Sequence, residues 1–347
     1  MPEIRKDPVF GRWVIIASGR RLRPNEFRGV SAPENPRNCP FCPGHEEETP
    51  PSVYTLYGKG AKGQGLNACA GDQTGKKQDW RLRVVLNKYP ALVSGGSAAR
   101  AADGIYERME GIGIHEVVIE TPDHNRQLED MSVPEIADIF RTFILRVNEL
   151  KKDPRIKYVM IFKNFGRNAG ASLAHPHSQI VAMPMTPIRV AQEIAGAKKY
   201  REDRGVCVFC DILRQETRYK KRVVGETGNF LAVTPYASRF TFETWIIPKK
   251  HQSHFERMAP GLAADLAGIV KNTVGKLRAS VEELSYNLIV HTMPLRDRAA
   301  GHYHWHIEIM PKLSRAAGFE WGTGFYINTV SPEDAAEMMN KGKKYKV

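Results

Sequence analysis

Apolar residues recur with two different periods along this chain. Ile136, Ile139, Phe140, Phe143, Ile144 and Val147 fall at helical spacing and make one apolar face over residues 132–151. Ser132 stands where an N-cap belongs, and Glu135 is placed to reach back as a capping box. The stripe reads as core packing. The runs around it, RLRVVLNKYPAL (81–92), HEVVIETPDH and KYVMIFKN, are rich in the β-branched and aromatic residues that favour strands. Residues 58–79 are Gly-rich and polar and read as a loop. GDQTGKK within them lacks Walker A spacing and its final Ser/Thr.

The same ordered set of features is written twice, which reads as an internal duplication. The first copy runs from CPFC at 39–42 through the VVIETPDH strand and the helix to KYVMIFKN and HPHSQIVAMP. The second runs from CVFC at 207–210 through NFLAVTPYASRF, FETWIIPKKH and a helical stretch at about 260–284 to YNLIVHTMP and HYHWHIEIMP. Each copy predicts a sheet with a covering helix, so the fold class is α+β, with one half over 1–187 and the other over 188–347. Residues 188–206 read as the connector between them.

Four of the five cysteines sit in the two CxxC pairs; Cys69 lies in the Gly-rich loop and reads as incidental. Paired cysteines of this kind point to metal or redox chemistry rather than structural disulfides. A tetrahedral zinc site needs four donors. Cys39, Cys42, His124 and His175 supply one set, and Cys207, Cys210, His251 and His304 supply a matching one. A redox pair does not require histidines at corresponding places in a repeat. His251 is preferred over His254 because its place after IIP mirrors that of His124 after the VVIETP strand. His45 and His115 have no partner in the repeat and read as structural or exposed. Both sets are closed, so they would tie segments together rather than activate water.

His175, His177 and Gln179 alternate along one strand, so their side chains share a face. With His175 used as a ligand, His177 is available to attack phosphorus through a ring nitrogen, provided a backbone acceptor sets its tautomer. Gln179 can donate to a phosphoryl oxygen. The competing readings of His177 are a third metal ligand or a packed core histidine. Its counterpart His306 is followed by Glu308, whose carboxylate would repel a phosphate. The first half is therefore expected to carry the chemistry and the second to be mainly structural.

Composition adds limits. With 347 residues the chain can hold one large or two fused domains. No stretch approaches the roughly 18 apolar residues of a membrane helix, and MPEIRKDPVFGRW has no signal-peptide core. A cytoplasmic protein without membrane partners is expected. The net charge of +13 suits anionic ligands, but no long basic run is interleaved with aromatics. Nucleic acid is the weaker partner class, and a zinc-stabilised nucleic-acid binder is the reading outside enzymes.

From RKDPVFGRWVIIASGRRLRP to EWGTGFYINTVSPEDAA the chain resembles the galactose-1-phosphate uridylyltransferase family of the histidine-triad superfamily, with HPHSQ its most specific match. CPFC, NKYPAL, PDH and NFGRNAGAS match as well. The resemblance implies a duplicated histidine-triad-like fold. It implies His177 as the covalently uridylylated residue, with Gln179 as its phosphate-binding companion. It implies zinc at Cys39, Cys42, His124 and His175, and nucleotide or phosphate contacts from Arg20, Arg23, Asn87, Asn164, Gly170, Ala171 and Ser172. Phe319 and Glu320 match the hexose-contacting stretch. The implied reaction is ping-pong between UDP-glucose and galactose 1-phosphate in a homodimer. The second CxxC pair and EWGTGFYIN look closer to a plant relative that acts as an ADP-glucose phosphorylase. The alternative acceptor is then free phosphate, and iron could replace zinc in either site.

Overall fold

A computed structural model describes residues 2–6, 13–16, 38–58, 80–297, 301–314 and 317–345. In chain order the strands are β1 (Glu3–Lys6), β2 (Trp13–Ile16), β3 (Ser52–Tyr57), β4 (Trp80–Leu86), β5 (Arg100–Asp103), β6 (Tyr106–Glu110), β7 (Ile114–Ile119), β8 (Tyr158–Phe165), β9 (His177–Met183), β10 (Val223–Glu226), β11 (Phe230–Val233), β12 (Thr244–Pro248), β13 (Tyr286–His291) and β14 (His306–Pro311). The helices are α1 (Val133–Leu150), α2 (Ile188–Arg204), α3 (Val208–Tyr219), α4 (Ala263–Ser280), α5 (Gly318–Thr323) and α6 (Pro332–Lys341).

The fold is α+β, and the duplication is visible in its main sheet. Ten strands run in the order β10-β11-β12-β14-β13-β8-β9-β7-β4-β3. Read outward from the β13/β8 seam, β14 answers β9, β12 answers β7, β11 answers β4 and β10 answers β3. Two antiparallel halves were expected; they are fused into one sheet because β8 and β13 pair antiparallel, from Tyr286 opposite Phe165 to Val290 opposite Ile161. Pairing at the seam satisfies a row of backbone groups on each half that would otherwise be an open edge. A second sheet, β2-β1-β6-β5, packs Ile4 and Met109 against Val181 of β9.

Alternation along the strands separates two faces. Val159, Ile161, Ile180, Ala182, Leu288, Val290, Ile307 and Ile309 join the large core beneath α1 and α4. These two helices also pack on each other. The α1 cap is as expected: Glu135 Oε2 accepts the Ser132 N–H at 2.8 Å and its hydroxyl at 2.6 Å. The opposite sheet face carries His177, Gln179, Val117 and Ile119 in the first half, and His306, Glu308, Trp245 and Ile247 in the second.

The segment expected to be a connector is instead α2, a 17-residue helix ending at Gly205 in the left-handed region (φ 76). Only Val190 and Ala197 are buried along it, so its apolar periodicity is too sparse to announce a helix. Arg20, Arg23 and Cys69 lie outside the described residues.

Phe140 is buried in α1 and packs edge-on against Phe143 at 5.9 Å. Phe140→Ala is expected to cost about 3–5 kcal/mol. Urea unfolding followed by circular dichroism should show a lower midpoint with an unchanged slope.

Candidate metal and nucleophile centre

His175 precedes β9 and is fully buried. Its Nε2 donates to the Thr121 carbonyl at 2.8 Å, which turns Nδ1 towards Cys39 Sγ (3.7 Å) and Cys42 Sγ (3.6 Å). His124 Nδ1 lies 3.4 Å from Cys42 Sγ. One ligand atom from each of the four residues falls within 4.8 Å of the others. Two sulfurs and two imidazole nitrogens at one point are a donor set for a soft or borderline cation. Burial pushes the Cys39 thiol up to about 12 and also raises that of Cys42. A bound cation would reverse this and hold both as thiolates. Burial, helped by the neighbouring His124 and His177, lowers His175 to about 4, so its ring is neutral, as a ligand must be.

The first residue of β9 is wired to this cluster. His177 Nδ1 lies 2.8 Å from the His175 carbonyl and is the donor. The ring proton is thereby fixed on Nδ1 and the lone pair on Nε2. Phe41, between the two cysteines, packs edge-on against both His177 (5.4 Å) and His175 (6.0 Å). A cavity of about 200 Å³ is lined by His177, Asn164, Phe165, Gly166 and Gln127, among others. On the far face of the strand, buried Lys163 pairs with Glu120 at 2.7 Å and donates to the His177 carbonyl at 3.3 Å. Ser178 donates to the same carboxylate. The backbone carrying His177 is thus held from both sides of the sheet.

Gln179 lies two residues along the same face. Its Oε1 is 2.8 Å from His115 Nε2. His115 is buried on β7, so of the two expectations, structural or exposed, the second does not hold. Asn87 also reaches this ring: its Nδ2 is 3.1 Å from His115 Nε2. Asn164 accepts from Asn287 Nδ2 at 2.8 Å across the seam. After it the chain turns at Gly166 (φ 79), where an added Cβ would sit 2.3 Å from Ser285 Oγ, so only glycine fits. Gly170 (φ 83), Ala171 and Ser172 follow in that turn, with the Ala171 N–H donating to the Gly166 carbonyl. Phe319 is half-exposed on α5, and Glu320 accepts the Ala317 N–H at 3.0 Å. Neither is among the described residues lining the cavity at His177.

The second half repeats the first set with Cys207, Cys210, His251 and His304. Cys210 Sγ is 3.4 Å from His251 Nδ1 and 3.7 Å from His304 Nδ1. Phe209 packs with a tilted ring on His306 at 4.8 Å, in the place that Phe41 takes edge-on against His177. His306 repeats the bond to its neighbour, with Nδ1 3.2 Å from the His304 carbonyl. Its far side differs. Glu193, from α2, approaches His306 Nε2 at 3.4 Å, and His291 stacks on its ring at 4.5 Å. His291 bridges Glu193 and Glu308 at 3.0 Å each; against its burial, the two carboxylates raise it to about 10. Arg239 also bonds Glu308. Glu193, His291 and His306 form a third group whose ligand atoms could hold a metal ion. This group was not foreseen, because Glu193 comes from the supposed connector.

Residues 69–187 match the sequence profile of the galactose-1-phosphate uridyl transferase N-terminal domain, and residues 193–325 that of its C-terminal domain. ADP-glucose phosphorylase from Arabidopsis thaliana is 38% identical, over 98% of this chain and 93% of that protein. Galactose-1-phosphate uridylyltransferase from Thermotoga maritima is 29% identical, over 98% of each. The crystal structure of the Arabidopsis thaliana ADP-glucose phosphorylase with bound ADP-glucose is similar, with TM-score 0.75 and 37% identity over 98% of this chain and 99% of that one. A uridylyltransferase structure gives TM-score 0.78 at 28% identity, over 98% of each chain.

Cys39→Ser is expected to lose metal from the first cluster and to lower the melting temperature by several degrees. Elemental analysis paired with calorimetry checks both. A variant with full metal content and unchanged melting would show that the thiol is not a ligand.

Proposed function

The chain belongs to the galactose-1-phosphate uridylyltransferase family, and from that premise we propose that it transfers a nucleoside monophosphate through a covalent bond to His177. The observation that carries this reading is the wiring of one imidazole. Its Nδ1–H is committed to the His175 carbonyl, and its lone pair is on Nε2 beside the cavity bounded by Asn164 and Gly166.

In the first half-reaction, His177 Nε2 attacks the α-phosphorus of UDP-glucose. The P–N bond forms, the bond from that phosphorus to the bridging oxygen breaks, and glucose 1-phosphate leaves with the electron pair. The His175 carbonyl stabilises the charge that develops on the ring. In the second half-reaction a phosphate oxygen of galactose 1-phosphate attacks the same phosphorus, the P–N bond breaks, and UDP-galactose departs. The Gln179 amide donates to a non-bridging oxygen in both steps. Asn87, Asn164, Gly170, Ala171 and Ser172, with Arg20 and Arg23, bind the nucleotide and phosphates.

Zinc fits the two Cys/Cys/His/His sets. Tetrahedral bonds of about 2.3 Å to sulfur and about 2.05 Å to nitrogen give S···N edges of about 3.6 Å. Three S···N edges in the first cluster and two in the second run from 3.4 to 3.7 Å. Zinc bound there would tie the Cys loops to the strands; iron is the alternative occupant. The half spanning 1–187 carries the chemistry and 188–347 is mainly structural. Phe319, Trp321, Phe325 and Ile327 are exposed near the C-terminus, which supports a homodimer in which Phe319 and Glu320 contact hexose. No helix among the described residues is long and apolar enough to cross a membrane, and the proposed setting is the cytoplasm without nucleic-acid partners.

A second reading is an ADP-glucose phosphorylase with the same covalent step and inorganic phosphate as acceptor. The 38% identity to the plant enzyme favours it.

Incubation with UDP-glucose and with ADP-glucose, each labelled at the α-phosphate, should leave acid-labile label on the protein from one donor. His177→Ala should abolish labelling and keep its metal. Metal loss from that variant would instead make His177 a ligand. Release of the label by galactose 1-phosphate or by inorganic phosphate identifies the acceptor.

A further inference from the structure

We infer that His115 is a positioning residue that sets the direction in which Gln179 donates; this rests on the nucleotidyl reading above. The Ala91 N–H donates to His115 Nδ1 at 3.1 Å. A neutral imidazole that accepts at Nδ1 carries its proton on Nε2. That nitrogen lies 2.8 Å from Gln179 Oε1, so the ring donates to the amide oxygen. Rotating the amide by half a turn would bring two donors face to face. The Gln179 NH2 group is therefore turned away from His115 and presented to the face it shares with His177. A phosphoryl oxygen needs a donor there, and an unconstrained amide would offer either end.

Asn87, which also approaches the ring, is set by the backbone instead: its Oδ1 accepts the Tyr89 N–H at 2.8 Å. One imidazole, oriented by a single backbone N–H, thereby fixes the donor direction of Gln179.

The second half supplies a contrast. Gln179 pairs with Val117 and Glu308 with Trp245, so His115 and Glu243, each two residues before the paired one, occupy the same place. There the pair is Glu243 and Glu308, which present acceptors when ionised. Burial, with the nearby Glu308, raises Glu243 to about 7. Among the described residues, the arrangement that presents an amide donor is found in the half that carries His177 and not at its counterpart.

The test is the single-turnover rate of His177 labelling by the nucleotide sugar that labels wild-type holoenzyme, with metal content and melting temperature followed in every variant. His115→Gln, which keeps a donor close to the ring Nε2 position, should label within a few-fold of wild type. His115→Met, of nearly the same length but with neither donor nor charge, should be about 10- to 100-fold slower. His115→Phe should be slow as well. Gln179→Ala combined with His115→Met should be no slower than Gln179→Ala alone, because the ring acts through that amide. Equal rates for the Gln and Met variants, or losses that multiply in the double variant, would overturn the assignment while leaving the covalent histidine intact. Absence of label from wild type would remove the nucleotidyl reading and this inference with it.

Discussion

Three bonds of a single residue, His175, organise the centre. Its Nε2–H goes to Thr121, its Nδ1 faces the cysteine pair, and its carbonyl accepts from His177. Residues 136 apart in sequence, Cys39 and His175, are thereby brought into contact. The bond from His177 Nδ1 to the carbonyl of its near neighbour ties the orientation of the ring to the placement of that backbone. Phe41, fixed between the two cysteines, then closes one side of the imidazole. A buried ring held at one nitrogen and packed on one edge loses little further freedom when it reacts, which is the physical content of pre-organisation.

Duplication explains why the arrangement can be both stable and reactive. The seam between β8 and β13 gives each half the other's strand edge, and α1 packs on α4 over a shared core. With stability spread over two copies, one site can diverge. Around His306 the equivalent space is filled by Glu193 and His291, and Glu308 is held well below the usual carboxylate range: burial opposes this, but His291 and Arg239 outweigh it. The space is occupied, and Glu308, paired with His291 and Arg239, offers acceptors where Gln179 offers a donor, which disfavours a nucleotide phosphate. The same scaffold places amides around His177, which can bond an anion without carrying charge.

Much of this was legible along the chain where the chemistry is local. Each CxxC pair announces two thiolates in one turn, and alternation puts His177 with Gln179 and His306 with Glu308 on one face; His175 and His304, expected on the same strands, lie just before them. The α1 stripe with its capping box carried helix, boundary and buried face together. What escaped depends on contacts between distant segments. The fusion of the sheets follows from edge pairing, which no local pattern encodes. The helix α2 buries only two residues, so Glu193 could not be placed in the second half's site. His115 looked isolated because the repeat has glutamate there, yet its two-residue spacing from Val117 and Ile119 already placed it on the same face as Gln179. That spacing was the available signal.

Charge sets the remaining constraint on the proposed reaction. Attack requires neutral imidazole. A zinc ion beside His177 would look sufficient to suppress protonation, but two thiolates cancel its charge, and a Cys/Cys/His/His zinc cluster is neutral as a whole. Its influence on His177 is therefore dipolar and falls off quickly. The bond from Nδ1–H to the His175 carbonyl instead fixes which ring nitrogen carries the lone pair. The net charge of +13 on the whole chain attracts a pyrophosphate. Metal cluster and nucleophile thus have separable duties: the cluster supplies position, and the tautomer of the ring supplies the attacking lone pair.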